Sequence, residues 1–226
     1  MLKDKLKHRI SFISPKKSPK EFVMLMYHSI KETEYNSRYQ LSKKKFEYQL
    51  SYLLDRERKY KLLISFDDGL KDNYTIAKNS LEKFGLKATF FISTGLVGEP
   101  NYMTKEMIEE LDRQGHRIAG HGHLHLNYLN QDDENILKDL TACYQYLQEN
   151  FNCKNLWFSY PYGARNKKID EMCAGVGFKT IFSSSFGTFG DIADKRVLPR
   201  IEVWNSDTVI YLERKIEGKY DWLNLF

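Results

Sequence analysis

The strongest constraint on what this chain can fold into is the alternation of short apolar runs with longer segments of helical period. Apolar runs stand at 22–27, 62–66, 88–92, 118–119, 156–158 and 178–182, each too short for a helix and suited to a buried strand. Between them, apolar residues recur at three- and four-residue spacing. Phe46, Leu50, Leu53 and Leu54 mark a helix over 43–59, and a second helix covers 73–84 and closes on Gly85. A third opens at Thr104, turns Met107, Ile108 and Leu111 inward and stops at Gly115. A fourth opens at Asp132 or Asp133 and carries Ile136, Leu137, Leu140, Tyr144 and Leu147 on one side. A short helix follows over 167–174; Ser206 caps the last, with Val209, Leu212 and Ile216 inward and Gly218 at its end. Pro199 makes 197–203 a strand end or an edge. Strands separated by helices pair in parallel, so the expected fold class is α/β.

With 226 residues, 42% hydrophobic and 29% charged, the chain suits one domain around one sizeable core. The expected division is a basic lead-in over 1–20 and a single domain over 21–226. The net charge of +5 is partly local, because Lys3, Lys5, Lys7, Arg9, Lys16, Lys17 and Lys20 crowd the first twenty residues. They read as a solvated tail, or as a surface for anionic lipid or glycan. Three cysteines without CxxC spacing, Cys143, Cys153 and Cys173, argue against a disulfide framework. Residues 1–9 are charged with no apolar run behind them, and no stretch has the ~20 apolar residues of a membrane span. A cytoplasmic location is therefore expected, with peripheral membrane association through the basic N-terminus. The 15 Tyr, 14 Phe and 3 Trp suit sugar-stacking clefts and apolar cores alike.

Polar groups gather at the ends of the strand runs: His28, Asp67, Asp68, His121, His125 and the turn Tyr160-Pro161-Tyr162-Gly163. Parallel α/β sheets build their sites at that end. Carboxylates at the end of a buried strand are costly without a partner, and a metal ion is one remedy. Asp68, His121 and His125 supply one carboxylate and two imidazoles, a donor set for a hydrolytic divalent cation. In an extended strand His121 and His125 would lie ~13 Å apart, so the chain must turn there; Gly120 and Gly122 allow it. If it stayed extended instead, His121, His123 and His125 would share one face. Asp67 is left as a general base.

Phe66-Asp67-Asp68-Gly69, the HxxxH pair His121 and His125, and Tyr160-Pro161-Tyr162-Gly163 resemble, in order and separation, the three motifs of the polysaccharide deacetylase family, also called the NodB-homology domain or carbohydrate esterase family 4. The resemblance covers 22–204. It implies a deformed (β/α) barrel and metal-dependent removal of N-acetyl groups from an amino sugar. It assigns Asp67 as base, Asp68, His121 and His125 as metal ligands, and the Tyr162 N–H as oxyanion donor. Zinc is the first expectation for the metal, with Fe, Co, Ni or Mn also suited to such a site.

Three departures stand out. Ser159 replaces the arginine that opens the third motif in many members, and Arg200 is the candidate substitute. Gly122 and Leu124 stand where Ser or Thr usually supports the histidines. No histidine follows His125, so the general acid must come from elsewhere. A circularly permuted barrel would bring the end of the first strand beside the last, which makes His28 the candidate. Deacetylases acting on poly-N-acetylglucosamine resemble this arrangement. The expected partner is an acetylated amino sugar, in a glycan or as a lipid- or nucleotide-linked intermediate, and not nucleic acid. A glycan O-acetyl esterase and a non-catalytic glycan-binding domain are the alternatives. Oligomeric state has no signal in the sequence.

Overall fold

The computed structural model describes residues 2–34, 37–55, 60–151, 155–190 and 197–225. Cys153 and the predicted helical residues 56–59 lie outside the described residues. In chain order the elements are α1 (Leu2–Ser11), β1 (Phe22–Tyr27), β2 (Ser29–Lys31), β3 (Gln40–Ser42), α2 (Lys43–Leu54), β4 (Lys61–Phe66), a π-helical turn (Asn73–Ala77) running into α3 (Lys78–Lys83), β5 (Thr89–Ile92), α4 (Lys105–Arg113), β6 (Arg117–Gly120), α5 (Asp133–Asn150), β7 (Trp157–Ser159), α6 (Lys167–Val176), β8 (Thr180–Phe182), β9 (Val197–Leu198), β10 (Ile201–Glu202) and α7 (Val209–Ile216).

Eight strands form one parallel sheet in the order β10-β1-β4-β5-β6-β7-β8-β9, curled into a partial barrel. β1 lies one strand in from the edge, paired with β4 from Phe22↔Lys61 to Tyr27↔Phe66 and with β10 at Leu25↔Ile201. The first strand thus lies beside the last, as a permuted barrel requires. The sheet's two edge strands, β9 and β10, are consecutive in the chain. Only Pro199 and Arg200 separate them, so their ends lie within about 11 Å. The expected run over 197–203 is therefore two short strands on opposite sides of a seam. The chain bridges that seam covalently.

Strand alternation sorts the residues. One parity packs the barrel interior: Met24, Leu63, Phe91, Ala119, Trp157, Phe182 and Leu198, one from each of seven strands, meet in a single cluster. The other parity, including Leu25, Phe66, Phe90, Ile118, Phe158 and Ile181, packs outward in the larger core shared with the helices. Continued toward the strand C-termini, the inward parity runs through Met26, Ser65, Asp67, His121, Ser159, Arg200 and Glu202. The barrel floor is apolar and its upper layers are polar.

Several expectations are corrected. Residues 2–11 are helical rather than a solvated tail: Asp4, His8 and Ser11 are buried. His8 stacks on Tyr211 at 3.8 Å, its Nδ1 lies 2.6 Å from the Tyr220 hydroxyl, and Arg214 Nε donates to Ser11 Oγ at 3.0 Å. Charge on one face of the segment had masked a polar docking face on the other. The last helix is capped by Thr208, whose hydroxyl accepts from Tyr211 N–H, not by Ser206. Leu137 points outward. The segment after Asp72 begins with the wider π turn, and the Asn73 side chain there donates to His28 O at 2.6 Å. No helix among the described residues is long and apolar enough to cross a membrane.

Candidate active site

β4 hands its last inward position to Asp67, whose N–H still donates to Tyr27 O at 3.0 Å. Asp68 and Gly69 then take positive φ of 76° and 82°. That left-handed turn, open to Asp and Gly, aims the two neighbouring carboxylates differently. Asp67 is buried at 2% exposure. Arg200 reaches it from the seam as a fork, Nη1 to Oδ1 at 2.7 Å and Nη2 to Oδ2 at 2.8 Å. The same guanidinium donates to Ser65 Oγ at 3.2 Å, Ser159 Oγ at 2.6 Å and Ser183 O at 3.2 Å. Its five N–H donors are thereby used across the barrel interior. Burial opposes ionisation of Asp67, but the charges of Arg200 and His121 outweigh it and hold the carboxyl below its usual range. A buried carboxylate in this fork stays charged, ready to accept a proton.

Asp68 faces the histidines. His121 Nε2 lies 3.3 Å and His125 Nε2 3.1 Å from the same oxygen, Oδ1. One donor atom from each of the three residues lies within 4.8 Å of the other two. Burial raises the Asp68 carboxyl, but the hydrogen bonds from His121 and His125 overcome it and leave it well below the usual range. His121 Nδ1 lies 2.9 Å from Ser159 O; a carbonyl can only accept, so Nδ1 donates there and the ring is oriented with Nε2 toward Asp68. An imidazole nitrogen and a carboxylate oxygen converging in this way fit a divalent cation, which would take the place of the Nε2 proton.

The turn between the histidines is built, as their spacing demands. Gly122 and His125 have φ of 73° and 54°. Asp139, on α5 and 4% exposed, accepts from His123 N at 2.8 Å, Leu124 N at 2.7 Å and the Tyr128 hydroxyl at 2.7 Å. It supplies the support that Gly122 and Leu124 cannot. Its signal was an acid on the buried side of a helix, between Ile136, Leu140 and Cys143. His123 turns away to Thr94 Oγ1 at 2.9 Å, so the extended three-histidine alternative does not form.

His28 follows β1 and shares a pocket of about 280 Å³ with Asp67, Asp68, His121, His125, Tyr162 and Arg200. His28 Nδ1 is buried without a hydrogen-bond partner among the described residues. Tyr162 has φ 59° in the turn Pro161–Gly163, and its ring stands edge-on to His125 at 4.6 Å. A larger cleft of about 620 Å³, near His116, Arg117 and Trp157, lies at the opposite strand ends and holds none of these groups.

The sequence profile of the family described as polysaccharide deacetylase matches residues 55–181. YxkH of Bacillus subtilis (strain 168), named as a polysaccharide deacetylase, is 29% identical over 183 residues, covering 71% of this chain and 63% of its own. The chain thus spans less than two thirds of that relative. The poly-beta-1,6-N-acetyl-D-glucosamine N-deacetylase of Staphylococcus aureus (strain N315) is 26% identical over 215 residues, covering 81% and 74%. Among solved structures, Streptococcus pyogenes deacetylase PplD in complex with acetate superposes with a TM-score of 0.78 at 21% identity, covering 88% of this chain and 100% of its own. IcaB from Ammonifex degensii gives 0.72 at 22%, covering 92% and 100%. At these identities the two structures speak for the fold.

Proposed function

Because this chain belongs to the polysaccharide deacetylase family, we propose that it hydrolyses the N-acetyl amide of an amino sugar, releasing acetate and a free amine. The observation that carries this reading is the division of labour in the adjacent acids: Asp68 faces two imidazoles, while Asp67 is locked in the Arg200 fork. The similarity to the Staphylococcus aureus enzyme supports a β-1,6-linked N-acetylglucosamine glycan as the substrate class.

Asp68, His121 and His125 are the residues that would hold a divalent cation, and zinc is our proposed metal. Such an ion supplies Lewis acidity to the acetyl carbonyl and to a water beside it. Asp67 accepts the proton of the attacking water. The Tyr162 N–H stabilises the oxyanion, and His28 protonates the departing nitrogen. The non-catalytic alternative rests on the missing third-motif arginine and the missing late histidine; the Arg200 fork answers the first and favours the catalytic reading.

Asp67→Asn tests the assignment. The variant is expected to bind zinc as the parent does, by elemental analysis, and to lose at least ~10²-fold in kcat on an N-acetylglucosamine oligomer. Parental turnover by Asp67→Asn overturns the role of Asp67. O-acetylated and N-acetylated forms of one sugar, assayed side by side, separate the amidase from the O-acetyl esterase.

A further inference from the structure

Glu202 lines the pocket and has no part in the chemistry above. Strand alternation places it. Arg200 points inward to Asp67, so Glu202, two residues on, faces the same side about 6.6 Å nearer the rim. Its register partner on β1, Met26, also lines the pocket. The carboxylate is held from behind: Trp204 Nε1–H donates to Oε2, and Arg38 Nη2 lies 3.5 Å from the same oxygen. The Arg38 guanidinium is itself set over the Trp204 ring at 4.2 Å. Arg38 compensates the charge, so Glu202 makes a poor trap for a free ammonium. The Tyr39 hydroxyl also bonds this carboxylate; a carboxylate has about four acceptor positions, and Trp204, Arg38 and Tyr39 together leave capacity for a hydroxyl donor.

Tyr39 stands next to it. Its backbone is anchored by Ser29 N–H at 3.1 Å, its ring lies 4.8 Å from that of His28, and it is 40% exposed. In the order of the eight strands β1 and β7 stand four places apart. Tyr39, beside the β1 end, and Tyr162, beyond β7, both line the pocket. At about 280 Å³ the pocket sits near the lower end of the ~300–1,000 Å³ range for small-molecule sites, which suits a single sugar unit.

We propose that Tyr39 and Glu202 form a sugar-recognition arm: the Tyr39 ring packs on the pyranose C–H face and Glu202 accepts from a hydroxyl of the residue that carries the acetyl group. Arg38 and Trp204 are positioning residues for that carboxylate. The inference rests on the deacetylase reading given above. It makes the arm a selector of sugar over other acetylated compounds.

The test compares kcat/KM of the zinc-loaded protein on an N-acetylglucosamine oligomer with kcat/KM on 4-nitrophenyl acetate. Glu202→Ala and Tyr39→Ala are each expected to lower the sugar-to-ester ratio at least tenfold, chiefly through KM. Glu202→Gln, which keeps an acceptor, is expected to recover part of the loss. Melting temperature and zinc content report on folding. A ratio equal to the parent's, including one in which both activities fall in parallel, overturns the arm. A parent that hydrolyses the ester but no N-acetyl sugar overturns the deacetylase reading instead. Calorimetric binding of the oligomer then decides the arm, which fails if Glu202→Ala binds as tightly as the parent.

Discussion

At the scale of single residues, the site turns on one guanidinium. Arg200 is 1% exposed and its partner Asp67 2%, so neither has water to fall back on. Arg200→Met would leave a buried carboxylate uncompensated, at an expected cost of about 3–5 kcal/mol in stability, read by chemical denaturation. The proposed deacetylation should fall with it, since Asp67 would drift toward its protonated form. Arg200→Lys keeps the charge but not the fork and should fall between parent and Met variant in both measurements. The type of each residue in the motifs was legible from sequence because metal and proton chemistry accept few side chains. Positions that act through geometry were harder to read. Arg200 could be nominated, but its reach depends on a seam that no local pattern encodes. Asp139 was hidden among helical polar residues, although its neighbours Ile136, Leu140 and Cys143 mark the buried side.

At the scale of elements, the apolar runs translate into strands with little change, since a strand buried on both faces needs a continuous apolar segment. α1 is hidden from composition, which reports charge and not which face carries it. That helix has a measurable signature. Burial, reinforced by the charge of Lys215, lowers His8 to about 4. His116, whose Nδ1 accepts from Ala88 N–H at 3.2 Å, is lowered to about 4 mainly by burial. Both folded values lie below the ordinary histidine value of 6.5, so between pH 4 and 6.5 the unfolded chain binds more protons. Stability therefore rises with pH through that window and is lost as pH falls, with a slope of about 1.4 kcal/mol per pH unit for each histidine. Urea titrations at pH 4.5 and 6.5 should show the difference. His8→Gln should shrink it by about half.

At the scale of the whole molecule, the three candidate ligands come from the ends of β4 and β6, which are separated in the sheet only by β5. A cation bound there would tie two loops of the folded state and nothing in the unfolded one. Zinc at a hundred times its dissociation constant is expected to add about 2.7 kcal/mol and to raise the melting temperature. Chelation should reverse the gain, and His125→Ala should abolish it. An equal response in His125→Ala would move the metal elsewhere.

Where β9 meets β10 the barrel closes through two residues of chain and one isolated bridge, Phe22 with Phe189, rather than a ladder of hydrogen bonds, and one of those two residues is Arg200. From there its side chain bonds to Ser65 on β4, Ser159 on β7 and Ser183 just beyond β8, as well as to Asp67. The clasp of the barrel and the holder of the proposed proton acceptor are the same group. A molecule that springs open at this point silences itself at once. Residual turnover in a partly denatured sample then counts intact rings, and activity becomes a gauge of closure that needs no spectroscopic label.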